Sequence, residues 1–257
     1  MLGQYDDLSR RFSLHSELTC YQVDSAMRLK PAAFMDLAQE IAYQAATRLG
    51  FGYEALQKEG TAWVLSRLHF KFIEHPLWRD SFTLSTWHKG PSGPFYLRDF
   101  AMSGADGSVV VVGTSSWVII DVVNRRMCRV SDIMERIPDS TICTEDAIGE
   151  PAAKTVMPRG SEPETVAVHQ VEYSDVDFLG HTNNARYMVW AMDCIDYDEL
   201  ISHPAAEVSI TFNHETHAGD KVILERLRVE GSDGGLTYYI EGKLADGRSA
   251  FCTKIVL

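Results

Sequence analysis

The chain has 257 residues, of which 45% are hydrophobic and 23% charged, a composition typical of a globular protein with one or two domains. Its formal net charge of −12 argues against broad contact with nucleic acid or with an anionic membrane surface. No stretch reaches the roughly 18–20 apolar residues of a membrane span, and the N-terminus lacks a signal-peptide apolar run, so we expect a cytosolic protein without a membrane span.

The first half of the chain predicts one strand, one long helix and four further strands. Apolar residues alternate over 11–23, whereas their helical spacing over 32–49 predicts an amphipathic helix that Pro31 opens and Gly50 ends. The turn sequences PSGP and GADG help to separate the later strand-like runs, which are 62–73, 81–88, 95–103 and 108–121. This order predicts an α+β domain in which an antiparallel sheet wraps around one long helix.

The second half repeats this plan after a different kind of segment. Residues 137–164 contain several prolines and glycines without periodicity, which predicts a linker that runs over the surface. A strand at 165–173 and helical spacing from Tyr187 to Ile195 follow, and then come four strands at 206–213, 221–230, 236–244 and 249–257. We therefore predict two domains, 1–136 and 165–257, joined by the linker 137–164.

The two halves read as copies of one module. DSAMRLKPAAFM begins at Asp24 and aligns with DFLGHTNNARYM, which begins at Asp177, 153 residues later. A second correspondence pairs WRDSF at 78–82 with AGDKV at 218–222, and each opens a strand. Together with the shared order of elements, these matches predict a tandem duplication.

The strongest local signal is DVDFLGHTNNARY at 175–187, which predicts a strand end, a glycine turn and a helix capped by Thr182 or Asn183. Asp177 and His181 would then lie near a helix N-terminus, where free backbone N–H groups favour negative charge. Such a site suits an anionic tetrahedral intermediate, and a carboxylate beside it can activate water or attack directly. Spacing alone leaves a plain helix cap as the alternative.

The motif D-x-x-G-H-x-N-N-x-x-Y resembles the active-site segment of hot-dog-fold thioesterases. Other segments, in the expected order over nearly the whole chain, are similar to the acyl-acyl-carrier-protein thioesterases of plants and bacteria: YQVDSAMRLKPAAFMDLAQEIA, WVLSRLHFKF, WRD, FYLRDF, SSWVIID and FNHET. The resemblance implies a tandem (double) hot-dog fold, with a structural and acyl-binding first domain and a catalytic second domain.

The resemblance also implies roles for single residues. Asp177 and His181 match the catalytic Asp and His of the family, and Glu215 matches an acidic residue that assists the attacking water. Backbone N–H groups at the helix N-terminus would polarise the substrate carbonyl, and these are expected among Gly180, Thr182, Asn183 and Asn184. The chain departs from the family at Leu179, where many members have Asn, and at Thr216, where many plant members have Cys.

The first copy of the motif lacks this set of residues. It keeps Asp24, but Arg28 replaces the histidine, and Pro31 removes a helix-start N–H group. We therefore assign the first domain to structure and acyl binding. Three apolar residues of its helix either line an acyl tunnel or are simple core: Met35, Ala38 and Ala42.

The sequence shows no cysteine or histidine pattern typical of a metal or redox site. The five cysteines are dispersed without a CxxC pair, which indicates reduced thiols. The nine histidines show no HExxH-type spacing, and we interpret His214 and His217 as part of a solvated loop around Glu215. We therefore expect neither a metal nor another cofactor.

The resemblance implies hydrolysis of the thioester between a fatty acyl chain and the phosphopantetheine arm of acyl-carrier protein, which releases a free fatty acid and ends chain elongation. One alternative is an acyl-CoA thioesterase with the same chemistry. Another is a non-catalytic acyl-binding hot-dog protein, which Leu179 favours and the retained Asp177, His181 and Glu215 disfavour. A hot-dog hydratase is weaker still, and the sequence leaves open whether the chain forms a homodimer.

Overall fold

The computed structural model describes residues 3–129, 137, 139–232 and 234–257. It divides into two compact units, Met1–Lys30 with Asp36–Ala152 and Pro31–Met35 with Ala153–Leu257. Within the described ranges, none of the helices has the length and apolarity needed to cross a membrane.

The first unit is built on an antiparallel sheet. Its strands are β1 Gln4–Asp6, β2 Arg11–Glu17, β3 Thr61–Phe72, β4 Ser81–Ser92, β5 Phe95–Gly104, β6 Val109–Asp121 and β7 Arg126–Met127. Their order in the sheet is β1-β2-β4-β5-β6-β3, and β7 pairs with β6. Every second residue of β4 is buried at Phe82, Leu84 and Thr86, so one face of the strand packs on the core.

The four strands predicted after the long helix are confirmed to within a few residues, but the first prediction, 11–23, was too long. β2 ends at Glu17, and Cys20–Gln22 form a short 3-10 turn. The Gln22 side chain causes this turn, because its Oε1 accepts hydrogen bonds from the backbone N–H of Thr19 at 2.9 Å and from its hydroxyl at 2.8 Å.

The long helix of the first half is confirmed as α1, Pro31–Arg48. Pro31 is its first residue, as predicted, since a proline lacks only an N–H group that has no partner there anyway. The helix ends in a Schellman motif: Gly50 has φ of 86° and donates to the Thr47 carbonyl at 3.1 Å, and Phe51 donates to Ala46 at 3.0 Å. A second helix, α2 Tyr53–Gln57, was not predicted because five residues give no readable periodicity.

The second unit has its own antiparallel sheet. Its elements are β8 Glu164–Gln170, α3 Asn184–Met192, α4 Tyr197–Ser202, β9 Glu207–Phe212, β10 Lys221–Glu230, β11 Leu236–Leu244 and β12 Ser249–Val256. The strand order is β9-β12-β11-β10-β8. The strands predicted here are confirmed to within three residues, and β10 and β11 have the predicted bounds. The strand predicted at 165–173 ends at Gln170.

The helix of the second unit is shorter than its apolar spacing predicts. Cys194 and Ile195 lie in a turn after α3 rather than in the helix. The chain breaks there because the Asp196 side chain caps a new helix, α4, by accepting the N–H groups of Asp198 and Glu199. Apolar spacing continues across this break, since Cys194 and Ile195 are still buried.

The predicted linker, 137–164, is irregular, but its predicted surface path is wrong in places. Ile137 and Cys143 are buried. The segment is also held to β4, where the Trp87 indole N–H donates to the Glu145 carbonyl at 2.8 Å. Hydrogen bonds of this kind replace the solvent contacts that a free linker would make.

The duplication is visible in the backbone of two five-residue loops, 24–28 and 177–181. In each loop the first residue donates to the carbonyl of the fifth, at 2.8 and 3.0 Å, and the fourth donates to the carbonyl of the first at 3.0 Å. The fourth residue has positive φ in both, 64° at Met27 and 81° at Gly180. The loops are thus the same turn built from different side chains.

The second correspondence also holds. Arg79 of WRDSF and Gly219 of AGDKV both have positive φ, 71° and 92°. The Arg79 N–H donates to the carbonyl just after β2, and the Gly219 N–H donates to the carbonyl just after β8. Glu215 lies three residues before AGDKV, and His75 lies three residues before WRDSF. His75 is therefore the first-copy counterpart of Glu215. Residues of the second-copy site can therefore be compared with their counterparts in the first copy.

Candidate functional site

The candidate site lies where the 177–181 loop meets the start of α3. Of the two predicted caps, Asn183 is the N-cap, and its side-chain oxygen accepts the Ala185 N–H at 2.9 Å. Thr182 is buried instead, with its hydroxyl 2.6 Å from that of Thr216. The helix start is therefore fixed by one half-buried cap and one buried hydroxyl pair.

Most backbone N–H groups expected to polarise a carbonyl are already engaged. Those of Gly180, Thr182 and Asn183 donate to backbone oxygens of the protein at 2.8–3.0 Å. Among the residues that the structure describes, the N–H groups of His181 and Asn184 donate to no protein acceptor. The anion-stabilising role expected of this helix start thus narrows to these two groups.

The structure brings His181 and Glu215 together. The His181 Nε2 lies 3.6 Å from the Glu215 Oε2, and the two side chains are 38% and 35% exposed. Asp177 belongs to the same loop as His181, and its Oδ1 accepts the Leu179 N–H at 2.9 Å. A carboxylate and an imidazole at this distance can share a water molecule or a substrate atom.

His217 also belongs to this cluster, although the sequence interpretation left it in a solvated loop. Its ring is perpendicular to that of His181, with centroids 4.9 Å apart, and its Nε2 lies 3.9 Å from the Glu215 Oε1. His214, by contrast, lies 2.7 Å through its Nδ1 from the carbonyl oxygen of Ser249. The alternation of side chains at 215 and 217 in an extended segment was the signal that could have identified His217.

Thr216 is a buried structural residue. Its hydroxyl lies 2.9 Å from the Tyr187 hydroxyl, and its N–H donates to that same oxygen at 3.2 Å. Burial raises the pKa of Tyr187, although hydrogen bonds with Thr216 oppose the shift. The position where many plant members have Cys therefore serves packing and hydrogen bonding in this chain.

Asp175, two residues before Asp177, holds the base of the loop. It is 2% exposed, and its carboxylate accepts the Glu172 N–H at 3.0 Å and the Arg186 Nε–H at 3.2 Å. The His169 Nε2 lies 2.8 Å from it. Burial alone would raise the pKa of Asp175, but these hydrogen bonds outweigh burial and hold it below its ordinary value.

The first copy places different chemistry at the equivalent positions. The Arg28 Nε lies 3.1 Å from the Asp24 Oδ2, so an internal cation neutralises that carboxylate. His75 stands at the place of Glu215, and burial together with the Arg28 charge lowers its pKa. Met35, Ala38 and Ala42 are buried, as either a tunnel lining or a simple core requires.

Family models match both halves of the chain. The acyl-ACP thioesterase N-terminal domain matches residues 9–137, and the acyl-ACP thioesterase C-terminal domain matches residues 160–247. A palmitoyl-acyl carrier protein thioesterase, chloroplastic, from Gossypium hirsutum is 24% identical over 213 residues, which cover 79% of this chain and 52% of that protein. The chain thus spans about half the length of this relative.

Solved structures show the fold. An acyl-ACP thioesterase from Bacteroides thetaiotaomicron has a TM-score of 0.82 at 24% identity, covering 98% of this chain and 99% of that one. A 12:0-ACP thioesterase from Umbellularia californica has a TM-score of 0.85 at 19% identity, covering 96% and 93%. The predicted α+β tandem hot-dog fold is confirmed.

Proposed function

The chain belongs to the acyl-ACP thioesterase family, and on this premise we propose that it hydrolyses fatty acyl-acyl-carrier protein, releases the fatty acid and so ends chain elongation. The observation that carries the proposal is the His181–Glu215 pair, 3.6 Å apart beside Asp177 at a helix start. The first copy has Arg28 and His75 at the places of this pair. A duplicated module that has the His–Glu pair in one copy only supports a single hydrolytic site.

The proposed reaction uses water as the nucleophile. The His181 and Asn184 N–H groups polarise the thioester carbonyl, and Glu215 takes a proton from water while the new C–O bond forms. The tetrahedral intermediate then collapses, the C–S bond breaks, and the pantetheine thiolate takes up a proton. His181 orients Glu215, and the Asp177 charge assists water activation.

We place water rather than Asp177 as the attacking group because Asp177 is committed to the turn. Its Oδ1 accepts the Leu179 N–H, and Asp24 accepts the Arg28 N–H at 2.8 Å in the equivalent loop. A single turnover in H₂¹⁸O distinguishes the two routes. Attack by water puts the label in the released fatty acid, whereas attack by Asp177 displaces the thiolate to form an anhydride, which water opens at the aspartyl carbonyl to put the label in the aspartate carboxylate.

The substrate is tested by comparing one acyl chain on acyl-carrier protein and on CoA. We expect kcat/KM to favour the carrier protein by at least about tenfold at physiological salt, which corresponds to about 1.4 kcal/mol of binding to the carrier. Equal values would contradict the preference. Release of free thiol from neither thioester would instead favour an acyl-binding protein without catalysis.

Docking of an acidic carrier protein would need a local basic patch, because the net charge of −12 provides no overall attraction. The sequence offers Arg10-Arg11, Arg125-Arg126 and Arg129. Arg11 already pairs with Glu145 and lies over the Trp87 ring at 4.2 Å, and Arg10 donates to the Ile142 carbonyl. Because Arg125, Arg126 and Arg129 are all exposed, we favour these three arginines as the carrier-docking group.

Leu179→Asn should keep kcat within a few-fold of wild type. The Leu179 side chain is 46% exposed, so an amide there stays hydrated and avoids the cost of about 1–3 kcal/mol for a buried unpaired group. Its backbone N–H, which bonds to Asp177, is unchanged by the substitution. Loss of all turnover in a folded variant, as judged by circular dichroism, would mean that the loop differs from the one described.

A further inference from the structure

The His181, Glu215 and His217 side chains converge like the ligands of a metal ion. Their candidate ligand atoms all lie within 4.8 Å of one another, with His181 Nε2 and His217 Nε2 at 3.6 and 3.9 Å from the two Glu215 oxygens. Tetrahedral zinc with bonds of about 2.0–2.1 Å places its ligand atoms about 3.4 Å apart. Small side-chain rotations therefore suffice to close the three ligands around a cation.

A carboxylate lies near the second ring nitrogen of His217. Asp220 accepts the His217 backbone N–H at 2.8 Å, and its Oδ2 lies 3.8 Å from the His217 Nδ1. Metal-ligating histidines commonly direct their second nitrogen to a carboxylate in this way. With Nδ1 facing Asp220, the Nε2 lone pair faces Glu215, where a cation would bind.

The ligand set also selects a class of cation. Two imidazoles and one carboxylate with an open fourth position form a ligand set used by zinc enzymes, and imidazole favours Zn²⁺, Co²⁺ or Cu²⁺ over Mg²⁺ and Ca²⁺. The three side chains are 35–50% exposed, so an ion can enter from solvent.

We propose that His181, Glu215 and His217 bind a divalent transition-metal ion of the zinc class, and that the bound ion inhibits hydrolysis. Inhibition follows because the ion occupies the Glu215 oxygen that takes the proton from water and the His181 nitrogen that orients Glu215. Only this second half of the proposal rests on the thioesterase function. The binding half rests on the geometry alone.

Binding is measured on the full chain without substrate, by calorimetric titration with ZnCl₂ and by the visible spectrum of added Co²⁺. Cys20 is exposed, so all variants carry Cys20→Ser to remove an accessible thiol ligand. His217→Asn should weaken Zn²⁺ binding at least tenfold and abolish the tetrahedral Co²⁺ bands. His214→Asn, in the same loop but outside the cluster, should change neither, and Mg²⁺ should not compete.

Inhibition is followed by the released fatty acid, because a free-thiol product would itself bind zinc. Micromolar Zn²⁺ should inhibit the wild type and His214→Asn, and EDTA should restore the rate. His217→Asn, with its rate expressed relative to its own metal-free rate, should need at least tenfold more Zn²⁺ for the same fractional inhibition. Equal Zn²⁺ affinity in His217→Asn and wild type would overturn the site, and unchanged turnover with bound Zn²⁺ would overturn the inhibition. A chain without thioesterase activity still gives the Co²⁺ and calorimetric results, so the two proposals fail separately.

Discussion

Asp177→Asn should lower kcat by at least about 100-fold, whereas Asp24→Asn should leave kcat within a few-fold of wild type. The Asp177 charge assists water activation by Glu215, and the lower bound is the smallest loss expected when acid–base catalysis is impaired. The amide keeps the oxygen that accepts the Leu179 N–H, so the turn survives and the substitution removes mainly the charge. In the first copy the Asp24 charge is already paired with Arg28, so its removal leaves the chemistry untouched.

The contrast between these two variants is the informative result, measured with one acyl-carrier substrate at matched thermal stability. Because the loops share their backbone hydrogen bonds, a purely structural role for the aspartate would weaken both variants alike. Equal losses of kcat would therefore contradict a catalytic role of Asp177 that Asp24 lacks. A loss in Asp24→Asn alone would place the catalytic site in the first half.

The sequence predicts the longer strands well because turn residues bound them, whereas β1 and β7, with three and two residues, were not predicted. β10 and β11 have the predicted bounds for this reason. Helix ends were harder to predict, since apolar spacing does not show where a side chain such as Asp196 starts a new helix. The Gln22 turn escaped prediction because a side-chain hydrogen bond, rather than a Gly or Pro, breaks the strand.

The site could be predicted only in part. Asp177 and His181 follow from the local motif, but their partner Glu215 came from the family resemblance, since 34 residues separate it from His181. His217 was missed because its alternation with Glu215 was not used, although residues two apart in an extended segment lie on the same side. The hydroxyl contacts of Thr216 could not be predicted either, because they depend on the path of the chain after β9.

Asp175→Asn should lower the free energy of unfolding by about 3 kcal/mol, the lower end of the cost of breaking a buried ionic group. The Asp175 carboxylate is 2% exposed, and both of its oxygens accept hydrogen bonds. Trp190 Nε1 is a further donor, at 3.3 Å. An amide turns one acceptor into a donor, which then faces Arg186 or His169. The cost stays at the lower end because Arg186 is 36% exposed and can be hydrated. Thermal unfolding should show a fall in Tm on the order of 10 °C.

Asp196→Asn is the matched control, because asparagine and aspartate are equally good N-caps and the Asp196 side chain is exposed. Its Tm should stay close to that of wild type.

The pH dependence gives a second criterion. Because hydrogen bonds lower the pKa of folded Asp175 below its ordinary 3.8, its ionised form stabilises the fold fully above that value, and this contribution is lost as pH falls through the lowered pKa. The stability gap between wild type and Asp175→Asn should therefore be constant from pH 5 to 7 and narrow below about pH 4. A gap that is absent at neutral pH would mean that the network around Asp175 does not hold the loop that carries Asp177.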